Sequence, residues 1–167
     1  MDEAEAYSRR DCAILSGGAI PGGTSKEEDV CGTVVGVLKD KLGVTLSKQD
    51  ISTAHRMGPK PPGIGSDTRK IVVKFVRRDV RNTIMSEART KKVPQLYIAD
   101  CLSPTRRSIF FSLRKIKKAH PDLVKSCSTF DGRVMLIPNR FLMNLAPKMF
   151  DTILSLGRSL QNFAWRS

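Results

Sequence analysis

The segment Ile71-Val72-Val73-Lys74-Phe75-Val76 constrains the fold more than any other stretch of the chain. Its β-branched residues suit a pleated, half-buried surface. A strand alternates its side chains, so Ile71, Val73 and Phe75 face a core while Val72 and Lys74 face the other way. Downstream, Val80, Ile84, Met85 and Ala88 recur at helical spacing within Arg78–Lys92. Pro94 stops that helix, and Leu96-Tyr97-Ile98-Ala99 reads as a further strand. Upstream, Gly58-Pro59-Lys60-Pro61-Pro62-Gly63-Ile64-Gly65 cannot enter a ladder, because proline removes a donor and fixes φ. It is expected as a long loop, preceded by a strand from Ile51 to Met57.

Toward the N-terminus, Cys12-Ala13-Ile14-Leu15 is a short buried strand broken by Ser16-Gly17-Gly18. Thr24 or Ser25, with Glu27 and Glu28 as capping-box partners, is expected to begin a helix. That helix carries Val30, Val34, Val37 or Leu38, and Leu42 on one stripe and stops at Gly43, where a left-handed cap residue belongs. Residues 11–100 thus read strand, helix, strand, strand, helix, strand. This order predicts an α+β fold, a ferredoxin-like sandwich with both helices on one face of an antiparallel sheet.

A second unit follows. Ser103 as N-cap and Pro104 in the first turn form a strong helix start. The helix places Ile109, Phe110, Leu113 and Ile116 on its apolar side and ends near His120-Pro121. Asp131-Gly132 marks a hairpin turn within residues 129–137. Residues 141–156 are expected to form a last helix despite Pro147. The expected organisation is a polar leader or coiled-coil end at residues 1–10, a sandwich domain at 11–100 and a small, basic α/β domain at 101–167.

Charge narrows the function. The net charge is +13, and its distribution is uneven. Residues 69–118 hold fifteen basic and three acidic residues, whereas residues 1–68 carry a small acidic excess. Arg106, Arg107, Arg114, Lys115, Lys117 and Lys118 have no acidic neighbour in their helix. Like charges at helical spacing repel, and Arg77, Arg78 and Arg81 crowd a helix start where the dipole disfavours cations. Such placement fits a surface shaped by a polyanion.

The same residues argue against other chemistries. Cys12, Cys31, Cys101 and Cys127 are widely spaced, with no metal-site signature, and are expected as reduced thiols, Cys12 and Cys101 filling core. His55 and His120 have no visible dyad partner. The stretch Pro21-Gly22-Gly23-Thr24-Ser25-Lys26 lacks the phosphate-loop order, in which the lysine follows the last glycine directly. No catalytic residue, metal or cofactor is expected. No apolar run approaches the roughly 18–20 residues that span a bilayer, and the acidic first residues do not read as a signal peptide. A cytoplasmic or nuclear address is expected, without a membrane partner.

Four blocks carry a resemblance: Tyr7-Ser8-Arg9-Arg10-Asp11-Cys12, Asp50-Ile51-Ser52-Thr53-Ala54-His55-Arg56-Met57-Gly58, Arg69-Lys70-Ile71-Val72-Val73-Lys74-Phe75 and Leu102-Ser103-Pro104-Thr105-Arg106-Arg107. In order and spacing they resemble the first-open-reading-frame proteins of LINE-type non-LTR retrotransposons (transposase 22-like) and the baculovirus FP proteins, across roughly residues 7–137. The resemblance implies an RNA-recognition-motif-like domain and a small C-terminal domain. It also implies single-stranded RNA or DNA as partner, a nucleic-acid chaperone role in a ribonucleoprotein, and homo-oligomerisation through an upstream coiled coil. It points to Arg9 and Arg10, to Arg69, Lys70 and Lys74, and to Arg106 and Arg107.

With the charge pattern, the expected contact set becomes Arg9, Arg10, Arg69, Lys70, Lys74, Arg77, Arg78, Arg81, Tyr97, Arg106, Arg107, Arg114 and Lys118. RNA-recognition motifs stack bases on aromatics of their first and third strands. Here only Tyr97, on the fourth, offers a ring, so a Lys/Arg phosphate clamp is expected to dominate. The alternative is a protein-interaction adaptor or an FP-like viral structural protein.

Overall fold

The computed structural model describes residues 2–23, 28–59 and 69–139. It is an α+β arrangement with four α-helices and two antiparallel sheets among these residues. Two compact units divide it: Ser8–Cys101, and residues 2–7 taken with 102–139. The expected leader is therefore a short helix, α1 (Asp2–Ser8), most of which belongs to the C-terminal unit. The expected helix at 141–156 lies outside the described residues.

In the first unit, β1 (Cys12–Ser16), β2 (Ile51–Arg56), β3 (Ile71–Phe75) and β4 (Tyr97–Asp100) form one sheet in the order β2-β3-β1-β4. α2 (Val30–Leu42) and α3 (Arg78–Lys91) are the helices between them. The alternation in β3 works as its residues dictate: Ile71, Val73 and Phe75 are buried, Val72 is half-buried and Lys74 is exposed. They share a core with Ala13 and Leu15 of β1 and with Val34, Val37, Leu38, Leu42, Ile84 and Met85, the apolar stripes of the two helices. Burying each such side chain fully contributes about 1.5–3 kcal/mol relative to exposure.

Helix ends follow local chemistry, with one correction. α2 does not start at Thr24 or Ser25, which lie outside the described residues. Asp29 is its N-cap, its carboxylate accepting from the Gly32 amide at 2.9 Å. Glu28 is committed elsewhere, accepting from Arg56 Nε at 2.8 Å and Nη2 at 2.6 Å. Arg56 also donates to the carbonyls of Pro21 and Arg69, so this buried guanidinium bolts the end of β2 to two neighbouring segments. Gly43 closes α2 in the left-handed conformation, φ 65°. Gly17, at φ 117°, lies so close to the 95 loop that a Cβ would fall 2.0 Å from the Gln95 carbonyl oxygen.

In the second unit, α4 (Pro104–Ala119) packs on the hairpin β5 (Val124–Phe130) and β6 (Arg133–Pro138). Asp131 and Gly132 both have positive φ, as a tight two-residue hairpin turn requires. Leu102, Leu113 and Val134 form a small core, with Ile109, Phe110, Ile116, Cys127 and Leu136 against it. The fully buried Ser103 hydroxyl accepts from the Arg106 amide and donates to the Asp2 carboxylate of α1. Ser103→Ala is expected to cost this unit about 1–2 kcal/mol, read by urea unfolding, since a cap and a buried hydrogen bond go together.

Candidate functional site

Each unit carries its own basic surface. In the first, the sheet face opposite the helices is set out by register. Val72 stands across from His55 on one side and Ile14 on the other, and Ile14 is opposite Ala99. One row away, Lys74 is flanked by Thr53 and Cys12; on the other side, Ser16 pairs with Tyr97. The centre is thus aliphatic, Lys74 supplies charge, and Tyr97 is the aromatic of this face, 66% exposed. A single exposed ring at the sheet edge offers one stacking surface.

The cations around this sheet have unequal freedom. Lys70 and Arg77 are exposed and Arg69 is half-buried, donating to the Gly58 carbonyl. Arg77 forks onto Asp79 two residues on and holds that carboxyl down at about 2. Arg78 reaches Asp11 at 3.2 Å. Arg9 lies with one guanidinium nitrogen 3.6 Å from the Cys101 sulfur, and Arg10 follows it in the same half-buried turn before β1.

Arg81 leaves the expected contact set. Its residue is 2% exposed; its guanidinium pairs with Asp100 of β4 and donates to the Cys12 carbonyl and the Asn82 side chain. It faces inward because α3 turns that side to the sheet, where Asp100 is the buried carboxylate. Arg106 leaves it too. Buried at the start of α4, it donates to Asp2 at 3.0 Å and to the Gly132 carbonyl at 2.9 Å. Its partners come from the far end of the chain and from the hairpin turn, which a helix-local charge count cannot see.

The remaining α4 cations converge. Phe110, Phe111, Arg114, Lys115, Lys117, Lys118 and Cys127 line an open groove of about 790 Å³ in the second unit. The Arg114 guanidinium sits 5.7 Å from the Phe110 ring centre, within cation–π range. The Phe110 and Phe111 centroids are 6.0 Å apart and tilted at 54°, a favourable aromatic geometry. Phe110 is anchored in the small core, while Phe111 is 53% exposed. Burial pushes the Cys127 thiol up, against the pull of Lys117 and Arg114. Among the described residues, four cations and no carboxylate line this groove. Arg107, half-buried, lies one turn earlier on the helix.

The structure thus brings Arg114 and Lys118 together from the expected set and adds Phe110, Phe111, Lys115 and Lys117. Phe111 had a signal in the sequence: it falls off the apolar stripe of residues 109, 110, 113 and 116, so its ring has no place in the core.

Among the described residues, no group of three or more His, Cys, Asp or Glu is placed to hold a metal ion. None of their helices is long and apolar enough to cross a membrane. No model of a known protein family matches the chain, and no curated protein matches it.

Proposed function

We propose that this chain binds single-stranded nucleic acid, holding phosphates with Lys and Arg and stacking a base on Phe111. The observation that carries the reading is the α4 groove, where Arg114, Lys115, Lys117 and Lys118 surround two aromatic rings without a lining carboxylate among the described residues. Four cations gathered this closely repel one another, and a polyanion offsets that repulsion. A ring half out of solvent beside them suits an unpaired base, because bases in a duplex are already stacked on each other.

The first unit supports the same reading. Its βαββαβ order and β2-β3-β1-β4 sheet fit a ferredoxin-like, RNA-recognition-motif-like domain. Its face opposite the helices departs from the aromatic version of that motif, since Ile14 and Val72 occupy the centre. Lys70, Lys74 and Arg77 there provide phosphate contacts, and Tyr97 a minor stacking surface. With the four sequence blocks, this supports similarity to the retrotransposon first-open-reading-frame and FP proteins, and hence a packaging or chaperone role in a ribonucleoprotein.

The test is strand selectivity. Fluorescence anisotropy with a 20-mer, as single strand and as duplex, is expected to give tighter binding to the single strand. Phe111→Ala should remove about 1–3 kcal/mol of single-strand affinity while leaving duplex binding nearly unchanged. Equal losses on both, or no binding to either at low salt, would overturn the reading. Tyr97→Leu should cost less, up to about 1 kcal/mol.

A further inference from the structure

Two of the four cysteines are neighbours at the end of the β1–β4 pair, Cys12 opening β1 and Cys101 following directly on β4. The β1–β4 register pairs Ala13 with Asp100, and one step further sets Cys12 opposite Cys101. Directly opposed residues on antiparallel strands lie about 4.5–5.5 Å apart at Cα, a separation that a disulfide spans. Both are reduced thiols here, and both are buried without being sealed, at 8% and 5% exposure. Neither belongs to the cluster between sheet and helices that includes Ala13 and Leu15. Alternation instead puts Cys12 on the opposite face, next to Lys74. Both are buried, as expected of core-filling thiols, but outside that cluster.

The surroundings of the two sulfurs differ. Arg9 brings a guanidinium nitrogen to 3.6 Å from the Cys101 sulfur, and a neighbouring cation favours a thiolate. Cys12 is pushed the other way. Its hydrogen-bonded neighbour Cys101 and its burial raise it well above the ordinary thiol range, with Lys74 only partly countering. The Arg9 cation thus stands beside the Cys101 sulfur and not beside that of Cys12.

We propose that Cys12 and Cys101 form a reversible oxidation site that takes a small hydroperoxide and closes to a disulfide across β1 and β4. The Cys101 thiolate attacks one peroxide oxygen, the O–O bond breaks, and the departing oxygen leaves as water after taking a proton from solvent. Cys101 is then a sulfenic acid. The Cys12 sulfur attacks it, the S–OH bond breaks, and the hydroxide leaves as water with the Cys12 proton. Two thiols lose two electrons in all, and the peroxide gains them. A dithiol reductant reverses the change by exchange. The site stands independently of nucleic-acid binding, though Lys74, opposite Cys12, places it on the same sheet face.

The test needs no variant. The reduced chain is treated with hydrogen peroxide, quenched, denatured, alkylated and digested with trypsin. The expected product before alkylation is lighter by about 2 Da. Residues 11–26 should be crosslinked to residues 93–106, while Cys31 and Cys127 remain alkylatable and dithiothreitol restores all four thiols. Cys12 and Cys101 both still alkylatable, or Cys101 carried to sulfinic acid without a crosslink, would overturn the proposal. As a second reading, Cys12→Ser in the presence of dimedone should carry the adduct at Cys101; oxidation confined to Cys31 or Cys127 in that variant contradicts the assigned order.

Discussion

Asp100→Asn is expected to lower the unfolding free energy of the sheet unit by about 3–5 kcal/mol, the usual cost of stranding a buried charge. Asp100 has no exposed side-chain surface, and it answers two guanidiniums: Arg81, in direct contact, and Arg89 at 3.8 Å. Neutralising it leaves the Arg81 charge enclosed without a carboxylate, its acceptors being the Cys12 carbonyl, the Asn82 side chain and the one amide oxygen left at position 100. Arg81→Met should cost less, because Asp100 keeps Arg89 nearby. Combining Arg81→Met with Asp100→Leu should recover much of the loss, since a buried ion pair and a well-packed apolar pair are often close in stability. A small domain holds about 5–15 kcal/mol in total, so Asp100→Asn alone brings it near the edge of folding. Urea unfolding of the three variants reads this directly. A cost below about 1 kcal/mol for Asp100→Asn would mean that the pair does not hold α3 to β4. The same variants separate structure from binding: folded Arg81→Met should bind an oligonucleotide within about twofold of the parent chain, because Arg81 does not reach the surface.

The largest binding effect is expected from the groove. Changing Arg114, Lys115, Lys117 and Lys118 together to Ala removes its cations while leaving the buried Leu113 and the Ser103 cap untouched. Each phosphate neutralised on a single strand contributes about 0.7 to the log–log salt slope, so the fourfold variant should flatten that slope by up to about 3 units. Binding to unrelated sequences should fall alike, because phosphate contacts carry no sequence information. The loss should be greatest at low salt and shrink as salt rises. Anisotropy titrations at four salt concentrations supply both slope and affinity. An unchanged slope would place the phosphate contacts on Lys70, Lys74 and Arg77 instead.

Much of the fold could be read locally. The IVVKF strand, the Ser103-Pro104 helix start, the Gly43 cap and the Asp131-Gly132 turn each depend on residues within a few positions of one another, and each formed as its chemistry dictates. The start of α2 does not follow from the local pattern, because two capping patterns compete there. Asp29 caps the helix while Glu28, the candidate box partner, is drawn to Arg56 in β2. The candidate site was legible as a basic region but not arginine by arginine. Arg81 finds Asp100 nineteen residues on, and Arg106 finds Asp2 from the other end of the chain. Those long-range partners decide which cations turn inward, and helical periodicity carries no trace of them. Arg114 and Lys118 stay exposed because they flank the stripe that holds Leu113 and Ile116 in the hairpin core.

Photo-crosslinking of a uridine-rich single strand, followed by tryptic mapping, tests the central claim most directly. Trypsin releases Phe110 and Phe111 within residues 108–114 and Tyr97 within residues 93–106, so groove and sheet contacts are read as separate peptides. The account predicts the main adduct on 108–114, a minor one on 93–106, and loss of the first in Phe111→Ala. Adducts confined to 93–106, or none on either peptide while the oligonucleotide is bound, would contradict it.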